Sequence, residues 1–114
     1  VGYDGLIVTN EPVADVVTVT LAASQGVLAR GTVITGVAGG ELSAAAAALV
    51  ATNAVYILAD ETDTGTGTAV TATAYRTGHF ARNKLSTDGS YTLVAADEEI
   101  MRNAGILLSD ALDY

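Results

Sequence analysis

The stretch that most restricts how this chain can fold runs from Ala54 to Phe80 and reads as strand, loop, strand and sharp turn. Ala54 to Ala59 is a short apolar run holding Val55, Tyr56 and Ile57, residues that suit a pleated, half-buried surface. Asp60 to Gly67 follows with three acids and two glycines among threonines. Such a composition cannot bury itself and predicts an exposed connection. From Thr68 to Tyr75 the period is two, with Val70, Ala72 and Ala74 on one face and Thr71, Thr73 and Tyr75 on the other. Antiparallel pairing of the two runs is the economical arrangement. Arg76 to Phe80 then predicts a chain reversal, with Gly78 freeing the backbone there.

The flanking segments are mostly short strands. Val16 to Leu21 alternates, with Val17, Val19 and Leu21 opposed to Thr18 and Thr20. Ala22 to Gly26 reads as a turn and Thr32 to Thr35 as a second strand, with Gly31 marking a bulge or a close backbone approach. Residues 41–51, ELSAAAAALVA, support two readings. Five alanines behind Ser43 suit a capped helix, but one this short is marginal alone. A loop followed by a short strand from Leu49 to Thr52 is the preferred expectation. Phe80 and Leu85 are expected to anchor the next segment, Ser86 to Ser90 to turn, and Tyr91 to Val94 to form a short strand.

Residues 95–104 form the one expected helix. Asp97 caps it or joins Glu98 and Glu99 in its first turn, Ile100 and Met101 point inward, and Arg102 suits its negative end. Gly105 terminates it in a left-handed conformation and Ile106 to Leu108 closes as a strand. The class is therefore mainly β, with one short C-terminal helix at about 95–104. Residues 1–12 read as an extended arm and 13–114 as a single domain. Within the arm, Leu6, Ile7 and Val8 are either a first strand of the domain or a strand added to a partner's sheet.

A length of 114 residues means one domain. Half of the residues are hydrophobic, but 21 of them are alanine and there is one Phe, one Met and no Trp. At ~25 cal/mol per Å² of apolar surface, such side chains bury little each, so further burial is expected from partner chains. A net charge of −8 repels nucleic acid, and no apolar run approaches the ~20 residues of a membrane-spanning helix. No basic-then-apolar leader pattern opens the sequence. With no Cys, disulfides, thiolate metal sites and Cys nucleophiles are excluded.

No reactive constellation emerges. His79 is the only His, and no Ser lies in a G-x-S-x-G elbow. His79 is expected to pack or hydrogen-bond near a turn. Asp60, Glu61 and Asp63 invite a calcium reading, but Thr62, Thr64 and Thr71 fall where further ligands belong, leaving a solvated acidic loop. Gly65 and Gly67 lack the third glycine of a phosphate-binding loop, since Val70 holds that place. No enzyme activity, cofactor or metal is expected. More informative are Arg76, Arg82 and Lys84, three of only five bases, which bracket Gly78, His79 and Phe80. On so acidic a chain this island, with His79 and Phe80, is a candidate contact with a neighbouring subunit. Exposed pairs contribute only ~0–1 kcal/mol each, so it would set register more than affinity.

The order of the pieces carries a resemblance. Arg30-Gly31-Thr32-Val33-Ile34, then A-V-Y-I-L-A from Ala54, the acidic Gly/Thr loop, V-T-A-T-A-Y from Val70 and T-G-H-F from Thr77 are followed by Ala96-Asp97, Arg102, Gly105, Ile106 and Leu108. Across Val13 to Leu108 this resembles the phage head decoration proteins of the lambda type. The resemblance implies a β-clip-like domain of bent antiparallel ribbons on the outer surface of a tailed-phage capsid. It also implies trimers at three-fold positions, with the major capsid protein and other copies of the chain as partners. On that reading Leu6, Ile7 and Val8 are the capsid-facing strand, and the protein reinforces the shell. The alternative is a small β-rich module for a ligand or carbohydrate. Such modules present exposed aromatics, and only five Tyr are available here.

Overall fold

The computed structural model describes residues 7–9, 15–37, 40–46, 49, 53–81, 85–87, 91 and 93–109. Its strands are β1 (Ile7–Thr9), β2 (Asp15–Leu21), β3 (Val27–Leu28), β4 (Val33–Gly36), β5 (Glu41–Ala44), β6 (Ala54–Leu58), β7 (Thr62–Asp63), β8 (Val70–Ala81) and β9 (Ile106–Ser109). One helix, α1 (Ala95–Asn103), precedes β9. The molecule is mainly β with one short C-terminal helix, as expected.

The two alternating stretches find each other. β2 and β8 pair antiparallel, with Val17 opposite Ala74, Val19 opposite Ala72 and Leu21 opposite Val70. β2 continues into a parallel pairing with β5, β5 pairs antiparallel with β4, and β4 with β6. β6 returns to β8 through Ile57 opposite Tyr75 and Leu58 opposite Ala74. The order β8-β2-β5-β4-β6-β8 is a closed ring. Inside it lie Val19, Leu21, Ile34, Leu42, Ala44, Leu58 and Ala74, all buried. A barrel this small leaves room for few bulky side chains, and alternating large and small residues fill it. Alanine is therefore a fitting core residue here.

A second core covers the outer face of β4 and β6. Val33, Val55 and Ile57 pack there with Ala45, Leu49, Phe80, Met101 and Ile106. Strands buried on both faces read as continuous apolar runs, which explains Ala54 to Leu58. Leu85 and Ile100 pack against this core, as expected of them.

Arg76 to Phe80, expected to reverse the chain, instead continues β8. Past the barrel the strand gains new neighbours. β1 pairs antiparallel with it, Ile7 opposite Phe80 and Thr9 opposite His79. β9 pairs in parallel from Gly78 opposite Ile106 to Ala81 opposite Ser109. The parallel pairing follows from α1, which supplies the crossover that such a pairing needs. Gly78 has a φ of 153°, and a Cβ there would lie 2.7 Å from Cζ of Phe80. Its job is to let the Phe80 ring fold back over the backbone. Gly78→Ala should therefore destabilise by about 2–3 kcal/mol, since overpacking and backbone strain add. A lowered urea midpoint at unchanged slope would register it.

Three other segments depart from expectation. The 41–51 region opens with β5, because Leu42 and Ala44 enter the barrel and that packing overrides alanine's helix preference. Leu49 is buried outside any strand, and the remainder of the strand expected from Leu49 to Thr52 lies outside the described residues. The Asp60–Gly67 connection is pinned rather than wholly exposed. β7 pairs with β3, and Thr64 is fully buried, its Oγ1 donating to the Gly26 carbonyl at 2.8 Å and accepting from the Gln25 N–H at 2.8 Å. Tyr91, Leu93 and Val94 form no strand: Tyr91 and Val94 hydrogen-bond Asp97 at the start of α1, and Leu93 packs against the second core. The helix ends as expected, with Gly105 at a φ of 99°.

Candidate functional site

The second half of β8 holds Arg76, His79 and Phe80 of the candidate contact. Arg76 lies at the barrel's edge, and its guanidinium donates to the Asp15 carboxylate at the start of β2. Both side chains are about half exposed, so solvent screening holds the pair to ~0–1 kcal/mol. Asp15 was not singled out from sequence, and only the β2–β8 register brings it beside Arg76.

His79 and Phe80 are adjacent in a strand, so their side chains must leave opposite faces. His79 is half-buried and lines an open groove of 560 Å³ with Glu98, Glu99 and Arg102 of α1. Phe80 is 0% exposed and packs tilted against Tyr75, ring centroids 5.4 Å apart. As a candidate contact with a neighbour, Phe80 is thus corrected to a core residue, while its expected anchoring role stands. Arg82, Lys84 and Leu6 lie outside the described residues.

β1, which contains Ile7 and Val8, lies on the edge of β8 beside His79 and Phe80. The arm segment and the basic segment, far apart in sequence, are therefore neighbours in space. Among the described residues β1 pairs with β8 alone, so no described strand covers its outer edge. An open edge offers main-chain donors and acceptors to an added strand.

The neighbouring helix is electrostatically settled. Glu99 accepts a hydrogen bond from Arg102, which lowers the carboxyl and raises the guanidinium from their ordinary pKa values. Asp97 is 1% exposed. Burial pushes its carboxyl up, but hydrogen bonds from the Tyr91 hydroxyl, the Leu49 N–H and the Val94 N–H outweigh that and hold it below the ordinary value. The same contact raises Tyr91. Asp97 thus ties the alanine-rich segment to the start of α1, a structural role that its expected capping position only partly disclosed. In the acidic loop, Asp63 accepts the Gly65 N–H at 3.0 Å within its own turn. Among the described residues no three acids or histidines cluster to hold a metal ion.

The arrangement is a short edge strand, a rim ion pair and an open groove on a small barrel. No curated protein matches the chain. A family model, bacteriophage lambda head decoration protein D, matches residues 3–107, from the segment before β1 through α1 and into β9. With that match running over nearly its whole length, this chain belongs to the bacteriophage lambda head decoration protein D family.

Proposed function

We propose that this protein assembles as trimers at the three-fold positions of a tailed-phage capsid, contacts the major capsid protein through residues 6–8 and stabilises the shell. As a head decoration protein it belongs on the capsid surface of the virion. The observation that carries the finer reading is the position of β1, a three-residue strand beside His79 and Phe80 whose outer edge no described strand covers. Backbone pairing along that edge would supply affinity, and the charged rim would supply register. Each single contact would be weak, and a trimer would multiply them through effective concentration. The chain works as a structural part and not as an enzyme.

The carbohydrate-module reading gains nothing from the fold. Tyr56 and Tyr75 pack against the two cores, and the Tyr91 hydroxyl is engaged by Asp97.

Titrating purified protein onto undecorated capsids, with imaging of the particles, tests the proposal. Saturable density at three-fold positions is the expected result. Arg82→Glu with Lys84→Glu should weaken capsid binding by about tenfold or more, a loss of ~1.4 kcal/mol, at unchanged thermal stability. Binding that survives those changes removes the basic island from the contact. Glycan binding without capsid affinity would overturn the proposal altogether.

A further inference from the structure

We infer that Asp97 is a positioning residue for capsid attachment: it latches a layer made of α1, β9 and the end of β8, which opens as a unit separate from the barrel and holds β1 in place. The inference rests on the reading of β1 as the capsid-facing strand and names what presents that strand. β8 changes partners at Thr77 and Gly78. Up to Thr77 it pairs with β2, and at Ala74 and Tyr75 also with β6. From Gly78 to Ala81 its described partners are β1 on one edge and β9 on the other. Among the described residues β1 in turn pairs with β8 alone.

The two cores divide along the same line. Among the described residues, the barrel interior takes no side chain from α1, β9 or residues 78–81. Phe80, Met101 and Ile106 belong instead to the second core, against Val33, Val55 and Ile57 of β4 and β6. Lifting the layer uncovers that outer face and leaves the barrel interior filled. Local opening in proteins proceeds by such cooperative units, which often coincide with supersecondary motifs.

What closes the layer is a buried carboxylate. Asp97 Oδ1 accepts the N–H of Leu49, 48 residues back along the chain, at 2.9 Å. Its Oδ2 accepts the Val94 N–H at 3.0 Å and the Tyr91 hydroxyl. Apolar packing is non-directional, whereas three donors converging on one carboxylate fix a single seat for the helix. Bonds to a charged acceptor are also roughly twice as strong as neutral ones. α1 leads through Gly105 into β9, and the Gly78 N–H donates to the Gly105 carbonyl at 3.2 Å. The seat of the helix is thereby passed to β9, from β9 to the end of β8, and from there to β1.

Native-state hydrogen exchange on the full chain, read residue by residue, tests this. Amides of α1, β9 and residues 78–81 should share one opening, and those of β2 and β4 should need a costlier one. Asp97→Asn should lower the protection of the layer at least about tenfold. Ile34→Val, inside the barrel, should lower the protection of barrel amides about fivefold and leave that of the layer within about twofold, because the layer-open form keeps the barrel. Layer and barrel amides that fall together in Ile34→Val show one cooperative unit and overturn the inference. So does a layer that keeps its wild-type protection in Asp97→Asn. Release from decorated capsids gives the functional readout. Asp97→Asn should speed release by the factor by which layer opening rises, and Ile34→Val should leave release unchanged. Val8→Pro, which removes a strand N–H, separates this inference from the reading it rests on. Release unchanged in Asp97→Asn, with binding abolished in Val8→Pro, overturns the positioning role alone. Binding that survives Val8→Pro overturns the capsid-facing strand, and the positioning role with it.

Discussion

Phe80→Ala should lower the unfolding free energy by about 3–5 kcal/mol. The ring is the only Phe in the chain and is fully buried between the barrel and the layer of α1 and β9. It packs against Tyr75 and folds over Gly78, so its removal opens a cavity where two rigid sheets and a helix meet. Those walls are hydrogen-bonded on both edges of β8, through β1 and β9, and cannot collapse inward to fill it. In a domain of this size the loss should appear as a fall in Tm on the order of 10 °C or more. Phe80→Leu keeps part of the volume and should cost less. A Phe80→Ala variant melting within a degree or two of the wild type would mean that the second core is not continuous.

Asp97→Ala should be nearly as damaging, at about 3 kcal/mol, because three donors lose their acceptor at once. These are the Leu49 N–H at 2.9 Å, the Val94 N–H at 3.0 Å and the Tyr91 hydroxyl. Asp97→Asn preserves the shape but turns one acceptor oxygen into a donor, and should also destabilise. The pH dependence separates a carboxylate effect from a packing effect. The folded carboxyl lies below its ordinary value of 3.8. The unfolded chain therefore binds this proton first as pH falls, and the stabilisation is complete above the unfolded value. It is lost progressively as pH drops through the folded value. Urea unfolding at pH 7 and at successively lower pH should show the gap between wild type and Asp97→Asn narrowing below about pH 4. A gap constant over that range would show that the charge is not what holds this corner together.

The same residues show what could be read from sequence. Val16 to Leu21 and Thr68 to Tyr75 disclosed their inward and outward faces through alternation, but the partner expected for Thr68 to Tyr75 was Ala54 to Ala59, which meets it only at Ile57 and Leu58, while β2 pairs along most of its length. The helix announced itself by its terminal acids and by Gly105. Arg76 to Phe80 misled because an isolated glycine after a strand reads as a turn. The feature that makes Gly78 necessary, the Phe80 ring over its α-carbon, is a contact with no local sequence signature. For residues 41–51 neither the capped helix nor the loop with a strand from Leu49 to Thr52 included β5, because Leu42 and Ala44 find their burial only between β2 and β4. Gln25 carried no signal at all. Its amide nevertheless donates to the Ala22 and Leu42 carbonyls and accepts from the Ala44 N–H, joining β5 to the turn after β2.

For the candidate site, the basic island and the arm were both visible as segments, but their adjacency was not. It depends on β1 choosing the edge of β8 beside His79.

Sequence alone determined the strand periodicity, the helix and its ends, and the mainly β class. Each of these is a property of neighbouring residues. The tertiary structure decided that the strands close into a ring, that β8 serves two sheets, and that Arg76 meets Asp15 while Phe80 turns inward. Backbone donors and acceptors are alike at every position, so register and closure are chosen by which side-chain volumes fit together across a core, and that choice exists only once distant parts of the chain meet.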